Sequence, residues 1–466
     1  MPLPNSVKLI LDQQHVNYSL ADAPLYAPSN TVLHDHYLRD ISAARAIILQ
    51  DKEGPLQVVV GADTLLDLNL LNQTLNRQLR ATSGAELQNF YSKHQLESIP
   101  ALPNLAGLET VVDKRLLDCS DIYLDAGNPE QVLLLQQTDF KQMIADASIC
   151  NISRPLIELE VDPDSAQDEN QISQAVQNFT QRRIKQRLEE TLELPPLPET
   201  AQRIIKLRVD PNADISDLAN IVETDPSLAA QVVSWAASPY YSAPGKIKSI
   251  HDAIVRVLGF DMVLNLALGL ALGKTLNMPK DGPNGTMPYW KKSVYMAATI
   301  EALVTAIPRD QRPTFGMAYL SGLLYDFGYL ILAEVFPPHF KSICRYTEAN
   351  PHVEHQVIER HLLNLTREQL SSWLMHLWNM PEEVVSALRH QNNPNYNGEH
   401  AVYAKLIFLA QRLLHQRGIG LGPKLDIPES IYTDLGLEPE KAHAAVDNIL
   451  ESSDDLDAIA KQMGTS

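Results

Sequence analysis

From Ala201 to the C-terminus, the sequence has the periodicity of helices and almost no pattern typical of strands. Apolar residues recur three and four positions apart, as at Leu228, Val232 and Trp235, and this spacing places them on one face of a helix. Proline and glycine interrupt the pattern at short intervals, and both residues disfavour helix interiors. The C-terminal half is therefore predicted to be an all-α domain of many short helices.

The N-terminal half differs because it mixes helix and strand signals. Short apolar runs at Ala46–Leu49 and Gln57–Val60 flank a turn at Asp51–Pro55, which is typical of a β-hairpin. Ser83 followed by Glu86 predicts a capped helix start. Further strand candidates are Thr110–Asp113, Ile122–Leu124 and Gln131–Leu135.

The predicted fold class is thus α+β with two domains, an α/β domain followed by the all-α one. A chain of 466 residues is too long for a single ordinary core. Acidic residues crowd the segment between the two halves, which has little apolar periodicity and is interpreted as a linker. The predicted boundaries are 1–148 for the α/β domain, 149–180 for the acidic linker, 181–400 for the helical domain and 401–466 for its helical C-terminal extension.

Composition argues against several classes of function. The net charge of -19 repels phosphate backbones, which argues against nonspecific nucleic-acid binding. Three distant cysteines do not suggest a disulfide framework or a cysteine-based zinc site. Neither a long uninterrupted apolar run nor a signal-peptide pattern is evident. We therefore expect a cytoplasmic protein with no membrane partner.

The helical half contains, in order, a series of short motifs that resembles the HDOD domain, a bacterial output domain related to the HD phosphohydrolases. The motifs are Leu194–Pro198, Ile215–Ala219, Ile221–Thr224, Asp225–Ala229, Ala236–Tyr241, Ile247–Ile250 and Asp252–Gly259. One departure is Ala237, where the family usually has Asn before the serine. These motifs mark helix starts and ends, so they predict the fold and no chemistry.

The same resemblance implies where an HD enzyme would hold its divalent metals, through a His, a His-Asp pair and a distal Asp. The matching positions here are Lys292, Tyr325, Asp326, Arg367 and His390. A charged lysine offers no lone pair, and one carboxylate with one imidazole is a poor ligand set for a divalent ion. We therefore expect neither metal nor cofactor at this degenerate HD cleft.

Two arrangements of the cleft remain open from the sequence. Lys292 or Arg367 forms an internal salt bridge with Asp326, or the two cations bind an anionic ligand or an acidic segment of a partner. Both arrangements require these residues to lie close together in space.

Residues 7 to about 144 resemble a divergent YbaK/prolyl-tRNA-synthetase-associated editing domain. Members of that family hydrolyse mischarged aminoacyl-tRNA with a strand lysine and a glycine-rich loop that contains a proline. Here the lysine position is Arg45, and the loop keeps Pro100 without the glycines. Asp113 and Gly127 belong to two further matching motifs. Arginine does not replace a compact, mobile ammonium, and bulky loop residues block close approach of the backbone to a substrate. A retained fold without catalysis is expected.

Both candidate active sites are therefore degenerate. The leading interpretation is a non-catalytic bacterial signalling protein that acts through protein or small-ligand contacts of its HDOD domain. The alternative is an enzyme, either a residual aminoacyl-tRNA deacylase or a metal-dependent HD-type phosphohydrolase. The expected partner is a protein of a signalling pathway or a small anionic ligand, and tRNA is the one nucleic acid left open.

Overall fold

The computed structural model describes residues 3–22, 41–127, 131–159, 166–184, 196–242 and 245–463. Its N-terminal half contains ten strands among these residues: β1 (Ser19–Asp22), β2 (Ile41–Asp51), β3 (Gly54–Gly61), β4 (Thr64–Leu66), β5 (Arg80–Ala81), β6 (Glu109–Asp113), β7 (Asp121–Asp125), β8 (Gln131–Gln136), β9 (Ser148–Cys150) and β10 (Ser153–Pro155). The helices of this half are α1 (Asn5–Gln14), α2 (Leu68–Leu75), α3 (Gly84–His94) and α4 (Gln137–Met143).

A mixed sheet organises the N-terminal half. The strand order is β1-β8-β7-β2-β3-β6-β9, with β5 paired to β2, while β4 and β10 form a separate pair. Strands β2 and β3 are antiparallel, with Asp51 opposite Gly54, which confirms the predicted hairpin. The three further strand candidates are also confirmed as β6, β7 and β8. Ser83 and Glu86 form the predicted capping box of α3.

The described residues of the C-terminal half form helices joined by loops and contain no strand after β10. Its helices are α5 (Asp168–Ile184), α6 (Glu199–Arg208), α7 (Ile215–Glu223), α8 (Pro226–Ala236), α9 (Ile250–Ala253), α10 (Phe260–Gly273), α11 (Tyr289–Ala306), α12 (Phe315–Leu324), α13 (Phe327–Val335), α14 (Pro337–Ala349), α15 (His355–Leu363), α16 (Arg367–Leu377), α17 (Glu382–His390), α18 (Ala401–Gln416), α19 (Glu429–Asp434), α20 (Pro439–Glu451) and α21 (Ser453–Met463). A two-domain α+β fold is thereby confirmed.

The two halves share one hydrophobic core. Successive side chains of a strand point to opposite faces of the sheet. Val58 and Val60 of β3 belong to the core formed with the helices, whereas Val59 belongs to a second core on the other face. Both faces of β3 are therefore buried, and the sheet lies between its own helices and the C-terminal half.

The boundary between the halves differs from the linker assigned to residues 149–180. Strand β9 pairs with β6, and β10 pairs with β4, so residues up to 155 belong to the N-terminal fold. Helix α5 then packs on α16, and Gln369 donates a hydrogen bond to the carboxylate of Asp168 (2.7 Å). The assignment is corrected accordingly, because backbone pairing with distant strands is invisible in local composition. Residues 160–165 lie outside the described residues.

One described helical segment, Phe315–Val335, has the length and hydropathy needed to cross a membrane. It comprises α12 and α13, and 89% of its most apolar window is buried inside the protein. Its apolar character is therefore explained by its position in the core.

Candidate functional site

The degenerate HD cleft is centred on the carboxylate of Asp326, which lies between α12 and α13. Lys292, in the first turn of α11, places Nζ 2.5 Å from Oδ2 of Asp326. Arg367, at the start of α16, places Nη1 2.7 Å from Oδ1. Each carboxylate oxygen thus has its own cationic partner, and all three side chains are at most 12% exposed.

The charges of these partners keep Asp326 ionised. Burial by itself raises the pKa of Asp326, but the adjacent Lys292 and Arg367 outweigh it and hold the pKa at about 2. The charge of nearby carboxylates raises the pKa of Arg367 further above its usual range, in spite of burial. The arrangement is the internal salt bridge that the sequence left open, and both cations take part.

Close helix packing fixes this geometry. A Cβ atom on Gly328 of α13 would lie 2.0 Å from the backbone oxygen of Arg367. Only a residue without a side chain allows α13 to come this near to the start of α16. Gly328 therefore allows the close helix contact that brings the guanidinium of Arg367 to the carboxylate of Asp326.

Three further residues, His355, Glu359 and Glu368, extend the cluster around Asp326 and are not among the cleft residues predicted from the sequence. Glu359 of α15 accepts hydrogen bonds from Nε and from the backbone N–H of Arg367 (2.6 and 2.8 Å). His355 lies one turn earlier, and its Nε2 is 2.6 Å from Oε1 of Glu368. Burial and Arg367 lower the pKa of His355, but the Glu368 and Glu359 carboxylates outweigh them and raise it overall. The sequence does contain a sign of this pair, because the four-residue spacing of His355 and Glu359 places both on one helix face.

The ligand atoms of His355, Glu359 and Glu368 all lie within 4.8 Å of one another. Such a set could hold a metal ion, but Arg367 already bonds to both oxygens of Glu359. Both oxygens of Asp326 are likewise taken by cations. The residues present therefore do not fit the metals of an HD enzyme, since the positive charge is supplied by the protein's own side chains.

Four of the five predicted cleft residues come together. Tyr325, Lys292, Asp326 and Arg367 line one small cavity of about 70 Å³. His390 does not line it. Its ring stacks on Tyr396 at a centroid distance of 3.8 Å, and burial lowers its pKa to about 4.

The placement of His390 in the cleft is therefore corrected. The next residue, Gln391, lines the cavity instead and donates a hydrogen bond to the carbonyl of Tyr325 (2.9 Å). The end of α17 thus presents an amide to the cleft where the imidazole was expected.

The degenerate editing pocket is a cavity of about 220 Å³ beside β2. It is lined by Arg45, Ser98 and Asp125, among others. Asp125 accepts hydrogen bonds from Oγ of Ser98 (2.5 Å) and the backbone N–H of Gly127 (2.7 Å). Burial raises the pKa of Asp125. Neither Asp125 nor Ser98 is among the pocket residues predicted from the sequence.

The other predicted pocket residues have structural roles. Pro100 accepts a hydrogen bond from Nε2 of Gln57 through its carbonyl (2.8 Å). Gly127 has a positive φ of 85°, and a Cβ there would contact the Pro100 ring at 3.0 Å. Asp113 accepts backbone hydrogen bonds from Arg115 and Ile152, both 2.9 Å, and does not line the pocket. The assignment of Asp113 to the pocket is corrected, because its carboxylate binds backbone N–H groups just after β6 and just before β10. Pro100 and Gly127 do not line the pocket either.

The helical half covers part of this pocket. Glu348, in the last turn of α14, and Pro351, just after that helix, complete its lining. Beside them, Asn350 accepts a hydrogen bond from the backbone N–H of Leu66 (2.7 Å) and donates one to the Leu66 carbonyl (3.1 Å). Tyr346 donates to the carboxylate of Asp67 (2.7 Å). The editing-like fold is thus held against the helical half by buried polar contacts.

Comparison with known protein families finds a match for each half of the chain. The HDOD domain family matches residues 194–394, and the aminoacyl-tRNA editing domain family matches residues 39–143. The chain belongs to the HDOD family and carries an aminoacyl-tRNA editing domain in its N-terminal half. Both resemblances inferred from the sequence are confirmed.

A crystal structure from Marinobacter aquaeolei VT8, described as a "putative signal transduction protein", is 43% identical to this chain. The match covers 99% of this chain and 100% of the other, with a TM-score of 0.89. The similarity spans both halves, so the relative has the same arrangement of sheet and helices.

More distant relatives match mainly over part of the chain. An HDOD domain protein of unknown function from Geobacter sulfurreducens is 20% identical, covering 63% of this chain and 98% of its own, with a TM-score of 0.49. An uncharacterized protein from Treponema pallidum is 21% identical over 264 residues, or 56% of this chain. The chain spans about half the length of that curated relative.

Proposed function

We propose that this chain is a non-catalytic signalling protein whose HDOD domain acts through protein or small-ligand contacts in the bacterial cytoplasm. The observation that carries the proposal is the pairing of Asp326 with Lys292 and Arg367. A carboxylate whose two oxygens are each bound to a cationic side chain is poorly suited to bind a divalent metal, because the neighbouring positive charges repel the ion. The description of the Marinobacter relative supports a role in signalling.

The N-terminal half supports the same proposal in a different way. A deacylase must admit the 3′ end of a tRNA, yet the pocket around Arg45 is partly walled by Glu348 and Pro351 of the helical half. The editing-like fold contributes part of the shared core through Val58 and Val60. In this proposed function, the editing-like fold serves as a scaffold for the HDOD domain.

The absence of catalysis is tested on the full-length purified protein. Elemental analysis should find no stoichiometric Mn, Fe or Zn, and added Mn²⁺ should not support hydrolysis of bis(p-nitrophenyl) phosphate. Mischarged alanyl-prolyl-tRNA should be deacylated no faster than in buffer. Turnover that disappears in Asp326→Ala, or deacylation that disappears in Arg45→Ala, would overturn the proposal.

The signalling role is tested in the native cell. Transcript profiles of a strain lacking the gene should differ from those of the same strain complemented with the wild-type chain. Identical profiles under growth, starvation and stress conditions would contradict a regulatory role.

A further inference from the structure

A second cavity lies beside the former catalytic cleft and has a different character. Its volume is about 660 Å³, within the range of roughly 300–1,000 Å³ that is common for small-molecule sites. It is bounded by the loop before α11, the start of α11, α13 and the C-terminal helix α21. Tyr289, Trp290 and Tyr329 contribute aromatic rings to its walls, and methionine and proline side chains add further apolar surface.

The rim of this cavity is positively charged, in contrast to the chain as a whole. Lys280, Lys291 and Lys461 line it together with a single acidic residue, Asp457. Lys291 is neutralised by Asp457, since Nζ lies 2.6 Å from Oδ2. Lys280 and Lys461 are exposed and make no ion pair with any residue that the structure describes. Two uncompensated cations therefore stand at the entrance of an aromatic cavity in a protein of net charge -19.

Tyr329 separates this cavity from the cluster around Asp326. The tyrosine lines both cavities. Lys292 Nζ lies 4.8 Å from the centroid of its ring, and the guanidinium carbon of Arg367 lies 5.3 Å from it. A molecule bound in the larger cavity would thus lie one aromatic ring away from the salt-bridge cluster.

We propose that this cavity binds a small organic anion with a planar aromatic body. Aromatic walls favour a flat, apolar ligand through stacking and burial, and unpaired lysines at the rim favour a carboxylate, sulfonate or phosphate group. The salt-bridged cleft itself offers no comparable site, because its cations are matched by carboxylates. The proposal deepens the proposed signalling function, on which it rests, by naming the class of ligand.

The test uses 8-anilinonaphthalene-1-sulfonate, an aromatic sulfonate whose fluorescence reports binding, with the full-length protein. We expect saturable binding that weakens on the order of tenfold in Lys280→Glu/Lys461→Glu, because two attractive charges become repulsive. The matched control is Lys52→Glu, an exposed lysine in the β2–β3 turn, which should bind as the wild type does. Both variants change only exposed side chains, and circular dichroism verifies their folding.

A neutral analogue separates charge recognition from simple apolar binding. N-phenyl-1-naphthylamine has the same ring system without the sulfonate, so the double charge reversal should leave its affinity unchanged. Equal sulfonate affinity in the wild type and the double variant would overturn the proposal, as would a lack of saturable binding. Either failure is distinct from failure of the proposed function, which is decided by metal content, turnover and transcript profiles.

Discussion

At the scale of single residues, Asp326 is the position on which the HD cleft depends. In an HD enzyme the matching aspartate would face a metal, and here it faces an ammonium and a guanidinium. The aspartate thus still faces positive charge, but two side chains supply that charge in place of a metal ion. Because all three groups are buried, removing Asp326 leaves Lys292 without its carboxylate partner and Arg367 with Glu359 alone.

Asp326→Asn should therefore destabilise the protein by about 3–5 kcal/mol at pH 7, the usual cost of breaking a buried pair. Two buried cations would lose their shared partner. Equilibrium denaturation by urea measures the difference. Asp12→Asn, an exposed aspartate on α1, is the control and should be neutral. A loss below 1 kcal/mol would contradict a role for Asp326 in stability.

The stability difference between the wild type and Asp326→Asn should also depend on pH. The pKa of Asp326 is held at about 2 in the folded protein, below the ordinary 3.8. Its stabilising contribution is then fully present above about pH 4 and is lost as the pH falls through about 2. The difference in unfolding free energy between wild type and Asp326→Asn should shrink over this interval. A difference that stays constant from pH 7 to pH 2.5 would argue against the depressed pKa.

At the scale of elements, the contact between α13 and α16 positions the cluster. Gly328→Ala would push a Cβ into the backbone of Arg367, which cannot yield as a flexible side chain would. We expect a loss of about 2 kcal/mol or more from overpacking. Thermal unfolding provides the measurement. Gly84→Ala at the start of α3 serves as the control, since its Cβ would enter open space.

The segment after α14 is the element that joins the two halves. Asn350→Ala would leave both the N–H and the carbonyl of Leu66 buried without their partner. The expected cost is about 2–4 kcal/mol, since unsatisfied buried groups lose their full desolvation energy. Hydrogen exchange should also show faster exchange at the Leu66 amide. Asn277→Ala, which removes an exposed hydrogen bond to Glu334, is the matched control.

At the scale of the whole molecule, the continuous core predicts one cooperative unit. Leu49, Val58 and Leu65 of the N-terminal strands pack in the same cluster as the helices of the C-terminal half. Thermal unfolding followed by calorimetry should therefore show a single transition. A fragment comprising residues 1–159 would expose this face of the sheet and should aggregate. Two separate transitions, or a soluble and folded fragment, would contradict the shared core.

Much of the architecture follows from local sequence. The hairpin around Gly54, the capping box at Ser83 and the helical periodicity after Ala201 are short-range patterns, because backbone geometry and burial on one face act over a few residues. The degenerate cleft could also be predicted, since Lys292 and Tyr325 occupy positions whose chemistry excludes a good metal ligand.

Tertiary structure alone decided which polar groups became partners. Tertiary packing brought Glu359 to Arg367, the ring of His390 onto Tyr396, and the carboxylate of Asp113 to the backbone N–H of Ile152. It also covered the editing pocket with residues from a helical half far away in the chain. Local patterns specify where an element begins and which face is apolar. The partner of a buried charge depends on the distance between elements, which is set only when the whole core packs.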